Sequence, residues 1–475
     1  MRDSVSAALT GFRLRAVPNR WSLMFGVASL ACLSVLVVTG IFLLVFYDPS
    51  TATITYRGEY GPLQGVPVSR AFSSTMHISF EVRGGLLMRQ AHHWAALVLP
   101  ATLMLQMLSS FFTGGFRKPR RLGWLLLCLT FLLALAAGWS GYALPDDMLS
   151  GTGLRIVEGI VIGIPVVGTR LSSILIGGEF PGELITHLYW VHILVVPFGL
   201  LLVLLARLLA AHRTRPPQSP GPGRTEDNTV GLRLFPTAAV KAGGYFLLTT
   251  GVLVLMAGLL TISPIWLLGP SSPSNASAGS QPDWYTGFLD GALRLVPPGW
   301  EVVWFGTTWP LAVLIPQAVI GLFLTLVAAY PFVEGRLTGD TAEHHLLDRP
   351  RDTPTRTGAG VAGLVFFGTL LTAGSTDLIA VQFHLSIEGL VHLLQVLLVL
   401  GPMTAFALTR RICLGLQAKD SEILAHGIAT GTIVRLPNGG YQEIHRLPTA
   451  REMARLTTRG DAPASASTPA RHPLP

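Results

Sequence analysis

Leu- and Val-rich runs of about 20 residues, each long enough to cross a bilayer as a helix, recur along this chain between shorter polar stretches. There are eight, at about 21–47, 86–112, 124–144, 186–211, 241–262, 308–332, 358–380 and 389–409. The pattern predicts an all-α integral membrane protein of eight transmembrane helices, grouped four and four. The break falls at 212–240, where Pro216, Pro217, Pro220, Gly221, Pro222 and Gly223 sit between Arg213 and Arg224. This gives a bundle over 1–211, a linker over 212–240, a second helical group over 241–447 and a tail over 448–475. The end of that tail, 457–475, is rich in Ala, Pro, Ser and Thr and reads as disordered. Three connections on one side, 48–85, 145–182 and 263–307, are long enough to roof a site.

Composition agrees with the pattern. Of 475 residues half are hydrophobic and only 13% are charged, too few to cover a soluble surface of this size. The first run follows a basic stretch with Arg13, Arg15 and Arg20, but it is too long for a signal sequence and is expected to stay as an anchor. A net charge of +8 raises the question of nucleic acid, which the charge distribution answers against. Twenty-six of the 34 Lys and Arg residues fall on alternate connections and the two ends, six on the opposite connections, and two, Arg89 and Arg207, within runs. That asymmetry places both termini in the cytoplasm. Cys32, Cys128 and Cys413 show no CxxC or CxxCH spacing, so neither a disulfide framework nor covalent haem is indicated.

The candidate chemistry lies in the histidines. The second run contains Arg89-Gln90-Ala91-His92-His93-Trp94, and the fourth contains His187, Tyr189, Trp190 and His192. Both runs travel inward, which puts His92 and His192 at matching depth in the outer half. Two such imidazoles can clamp a haem iron from its two faces, with Arg89 one turn away to pair with a propionate. The competing reading is two hydrogen-bonded core histidines. Gly26 and Gly40 in the first run, 14 residues apart, would let a porphyrin approach the backbone.

The stretches SFEVRGGLLMRQAHHWAAL, GYALPDDMLSGTGLR, IGIPVVGTRLSSILIGGEFPGELI, AGSQPDWY and YPFVEGRLTGDTAEHHLLDRPRDTP resemble the cytochrome b subunit of actinobacterial cytochrome bc complexes. The resemblance runs in order along nearly the whole chain, to about residue 447. It implies eight transmembrane helices, two b haems in the first bundle, a quinol-oxidation site toward the outside and a quinone-reduction site toward the cytoplasm. His92 and His192 match the ligands of the outer haem. The second ligand on the same helix face is expected 14 residues on, about 40° away and about 21 Å deeper. Gln106 stands there, and Ala206 or Arg207 stands at the equivalent place after His192. One haem b is therefore expected, with both ligands of the inner one missing. A shifted register would pair His93 with Met107. A guanidinium at Arg207 filling the inner space would need a partner, and Gln106 is the obvious one.

The loop Gln281-Pro282-Asp283-Trp284-Tyr285 resembles the family's proline-acid-tryptophan-tyrosine motif, with aspartate for the more familiar glutamate. Quinol oxidation releases two protons, so a carboxylate beside an aromatic wall suits it. The resemblance implies that Asp283 accepts a proton, that Tyr285 positions the ring, and that Pro282, Trp284, Tyr142 and Gly141 line the pocket. As a lone residue, Tyr142 would read as an interfacial tyrosine. His344 and His345 read as surface residues. The implied activity is that of a menaquinol:cytochrome c oxidoreductase subunit in a bacterial plasma membrane. Its implied partners are a Rieske iron–sulfur subunit, a cytochrome c subunit, menaquinol and a second copy of the chain. The alternative is a paralogue that assembles or regulates a complex without completing electron transfer across the membrane.

Overall fold

The computed structural model describes residues 15–177, 180–272, 281–449, 452–453 and 456. Each apolar run forms a helix: Trp21–Phe46, Gly85–Phe112, Arg121–Ala143, Leu184–Arg213, Leu234–Leu259, Leu311–Thr338, Pro354–Ala373 and Ile387–His426. They are called here the first to eighth spans. Leu and Val side chains such as Val38, Leu247 and Leu255 face outward and exposed, as lipid-facing positions require. Pro100, Pro316, Pro331 and Pro402 lie inside spans without ending them, which membrane helices tolerate because neighbours satisfy the freed carbonyls.

The first four spans pack side by side. The fifth lies against the first and second, the sixth touches the third, and the seventh touches the second while pairing with the eighth. The shared core includes Cys32, Leu103, Phe131, Leu253, Ile320, Leu370 and Leu394, drawn from seven of the spans, and Phe288 from the connection between the fifth and sixth. At the end of the bundle away from His92 and His192, Arg356 donates to Glu334 at 2.7 Å and to Asp348 at 2.7 Å, and Arg117 reaches Asp348 at 2.8 Å. These are close, shielded ion pairs, and they tie the two groups together. His344 and His345, expected on the surface, belong to this layer with side chains only 15% and 12% exposed, because the connection folds back under the bundle.

Several boundaries differ from expectation: the fifth span begins at Leu234 and the sixth runs on to Thr338. The seventh span stops at Ala373, and a separate helix occupies Thr376–Phe383. The helix Gly287–Arg294 packs backbone to backbone on this stop: a Cβ on Gly291 would lie 1.8 Å from the Leu370 carbonyl oxygen and 2.6 Å from the Gly374 nitrogen. The eighth helix runs 40 residues, to His426, because the polar stretch after the apolar run is built of good helix formers. At 1.5 Å per residue that is about 60 Å, twice the hydrocarbon thickness. Short antiparallel hairpins supplement the helices: Thr53–Thr55 with Pro67–Ser69, Val302–Trp304 with Thr307–Trp309, and Ile428–Arg435 with Tyr441–Arg446. The disorder expected for 457–475 falls outside the described residues.

Each of the three long connections carries helix among its described residues. Arg70–Phe80 is capped by Ser69, which accepts from the Phe72 N–H, and Met148–Ile162 by Asp147 in a reciprocal capping box with Ser150. Gly287–Arg294, in the third of these connections, packs against the sixth and seventh spans.

Candidate functional site

His92 and His192 face each other across the bundle with ring centroids 6.1 Å apart and planes at 67°. An imidazole nitrogen sits about 2 Å from a bound transition metal and about 1.1 Å from its ring centre, so two coaxial imidazoles on one ion have centroids about 6.2 Å apart. Both rings are held in the tautomer that ligation needs. The Thr39 hydroxyl donates to the Val35 carbonyl at 2.6 Å, so toward His92 Nδ1, 2.9 Å away, its oxygen acts as acceptor. His192 Nδ1 donates to the Ala137 carbonyl at 3.0 Å, with the Ser140 hydroxyl 3.2 Å away. Each Nδ1 therefore carries the proton and each Nε2 keeps a free lone pair, the outer-shell arrangement of metal-binding histidines. A Cβ on Gly40 would lie 3.3 Å from His92 Cε1, and one on Gly141 would lie 2.6 Å from His192 Cε1. The donor set fits one bis-histidine haem iron. Gly141, expected to line the quinol pocket, is thus in contact with the His192 ring.

His192 lies in a π-turn, Val191–Val195, inside the fourth span. Such a turn absorbs one extra residue and is frequent at functional sites. It also slips the register, so that 15 residues on this helix cover the rotation of 14 on a regular one. That resolves the choice between Ala206 and Arg207: Arg207 faces the bundle, and its Nη2 donates to Gln106 Oε1 at 2.7 Å.

Next to His92, His93 points the other way, toward the loop after the fifth span. Its Nε2 is 3.1 and 3.2 Å from the two carboxylate oxygens of Asp283, and the Tyr285 hydroxyl donates to Asp283 Oδ2 at 2.9 Å. This orientation takes His93 away from Met107, which packs against the core. Tyr285 is buried, with its ring on Gly138, where an added Cβ would lie 2.5 Å from the phenol oxygen. Burial, reinforced by the Asp283 charge, pushes the Tyr285 phenol well above its ordinary range, so it remains a donor. Trp284 is fixed by its indole N–H to the Leu97 carbonyl at 3.2 Å. Tyr142 lies within electrostatic range of Asp283 and Tyr285. Its hydroxyl is buried and has no hydrogen-bond partner among the described residues. A buried orphan hydroxyl beside a carboxylate suits a ligand that carries a hydroxyl. Arg89, expected beside a propionate, donates from Nη2 to the Ser263 carbonyl at 2.7 Å, while its Nε has no partner among the described residues.

By spacing alone Pro282, Asp283, Trp284 and Tyr285 are an ordinary loop stretch, and only their resemblance to a family motif singled them out; His93 and Gly138 were not anticipated. The only signal for His93 was the doublet itself, in which one histidine faces inward and its neighbour, about 100° round the helix, faces elsewhere.

Residues 97–270 match the family model described as cytochrome b(N-terminal)/b6/petB. The chain is 45% identical over 441 residues to the cytochrome bc1 complex cytochrome b subunit of Streptomyces coelicolor, covering 93% of this chain and 81% of that one. It is 46% identical over 444 residues to the subunit of the same name from Mycobacterium tuberculosis, covering 93% and 80%. A solved structure titled hyperthermophilic respiratory Complex III shares the fold with TM-score 0.64 and 18% identity, over 87% of this chain and 97% of that one.

Proposed function

The chain belongs to the family of cytochrome b subunits of cytochrome bc1 complexes, and on that premise we propose that it oxidises menaquinol at the outer end of its first helical bundle. It is membrane-embedded and, as a cytochrome b, binds haem b. His92 and His192 hold one such haem, which when bound supplies a one-electron acceptor in the outer half of the membrane.

The observation that carries this reading is the bracketing of Asp283 by His93 and Tyr285, with the Tyr142 hydroxyl free nearby. Tyr142 binds a quinol hydroxyl, and Asp283 takes one of the two protons released. His93 and Tyr285 hold the carboxylate in the orientation for that transfer. Pro282 and Trp284 complete the wall that keeps the ring in place. The electron acceptors and companions are those of the family: a Rieske iron–sulfur subunit, a cytochrome c subunit and a second copy of the chain. The complex lies in a bacterial plasma membrane with both termini of this chain cytoplasmic, as the charge asymmetry supports.

Asp283→Asn tests the reading. General-base contributions run to about 10²–10⁴-fold, so menaquinol:cytochrome c reductase turnover of the purified complex should fall by about 10²-fold or more. Haem content should stay unchanged. Turnover at the wild-type level in this variant would remove Asp283 from the reaction.

A further inference from the structure

The family carries a second haem in the inner half of this bundle, and the residues present there do not fit one. A guanidinium and a carboxamide are not among the groups that ligate haem iron. The contrast with the outer site is geometric as well as chemical. The outer ring centroids lie 6.1 Å apart, close to the ~6.2 Å of two imidazoles on one ion, whereas Arg207 Nη2 and Gln106 Oε1 are in direct contact at 2.7 Å.

All four helices of the bundle meet at this contact. Gln106 comes from the second span and Arg207 from the fourth. The third contributes Thr130, whose hydroxyl donates to the Leu126 carbonyl at 2.6 Å and faces Arg207 Nη1 at 3.5 Å with its oxygen. The first contributes Gly26, where an added Cβ would lie 2.7 Å from Gln106 Nε2. About one turn toward the outside, Ser29 donates to Thr102 at 2.9 Å and draws the first and second spans together. The glycine that would leave room for a porphyrin edge is therefore filled by the Gln106 amide.

We infer that the inner haem site of this chain has been rebuilt as a hydrogen-bonded strut, in which Arg207 bridges Gln106 and Thr130 while the Gln106 amide rests on Gly26. This deepens the reading above and rests on it for the outer haem. The strut holds the inner half of the bundle closed with side chains alone. The nearest haem iron lies about 14 helical residues, or about 21 Å, away. The chain is then a single-haem cytochrome b whose redox work is confined to the outer half. No relay of its own carries an electron to the cytoplasmic side.

The test is haem b per polypeptide, by pyridine haemochrome on the purified complex, for the wild type, His192→Ala and Gly26→Ala, with thermal unfolding followed alongside. The expected result is one haem in the wild type and none in His192→Ala. Gly26→Ala should keep one haem but unfold at lower temperature, because the added methyl pushes on Gln106. Two haems in the wild type, with one surviving in His192→Ala, would overturn the strut and leave the outer site standing. Haem lost from Gly26→Ala while His192→Ala keeps its own would place the porphyrin in the inner half, and both readings would fall. A haem-free wild type would overturn the outer site and the single-haem assignment that rests on it.

Discussion

Gly141→Ala offers the sharpest probe of the outer site, because the substitution adds a single methyl and favours the helix that carries it. In a helix interior alanine is about 1 kcal/mol better than glycine, so any loss has to come from what the methyl meets. It meets the His192 ring, at 2.6 Å from Cε1, 3.1 Å from Nδ1 and 3.2 Å from Nε2. Carbon atoms rest at about 3.5–4.0 Å, so the ring must retreat by about 1 Å. Ala137 and Ser140, which orient the ring, sit on the same helix as the new methyl and cannot follow it. The 3.0 Å bond from Nδ1 to the Ala137 carbonyl would stretch beyond hydrogen-bonding range, a loss of about 0.5–1.5 kcal/mol. An imidazole displaced by half a metal–nitrogen bond length cannot keep its place on iron. The assay is haem b per chain together with the dithionite-reduced difference spectrum. Occupancy should fall well below half, and the residual band should shift. Gly40→Ala serves as the graded control, since its methyl would lie 3.3 Å from His92 Cε1 and asks for only a few tenths of an ångström. If Gly141→Ala retains full haem and an unchanged spectrum, His192 is not an iron ligand.

Two further outcomes follow from the outer end. Gly138→Ala places a methyl 2.5 Å from the Tyr285 phenol oxygen, on the pocket side of the same helix, and should lower menaquinol turnover while leaving haem content at the wild-type level. Asp146, in the connection after the third span, is pushed by burial from its ordinary 3.8 up to about 6. A raised carboxyl pKa means that the folded state holds the proton more tightly. Stability is therefore fullest below pH 3.8, falls as pH rises to about 6 and is flat above. At 1.36 kcal/mol per unit the loss is about 3 kcal/mol. Asp146 has φ +51°, which asparagine tolerates. Asp146→Asn should therefore remove this pH dependence of the thermal midpoint and raise the midpoint at pH 7.

The number of spans, their order and the pairing of His92 with His192 were legible in the sequence because each rests on a period: about 20 apolar residues per crossing, and equal depth for two residues on helices running the same way. Three things were not. The π-turn at His192 is a choice of hydrogen-bond register that no residue type announces, so Ala206 and Arg207 could not be told apart. The bond between His93 and Asp283 joins residues 190 apart through the packing of two helical groups. The extension of the eighth helix to His426 lies beyond its apolar window, where membrane patterning is silent and ordinary helix propensity takes over.

The separation of the two functional elements along the chain also sets an order in time. His92, His192 and the carbonyl and hydroxyl groups that orient them all lie on the first four spans, whereas Asp283 and Tyr285 leave the ribosome about 90 residues later, a delay of about 5–18 s at ordinary synthesis rates. On the proposed assignment, the haem cradle is complete before Asp283, the proposed proton acceptor, exists. A haem bound in that interval would meet no quinol-derived electron. Synthesis would then deliver the trigger last, once the machinery it discharges into is in place.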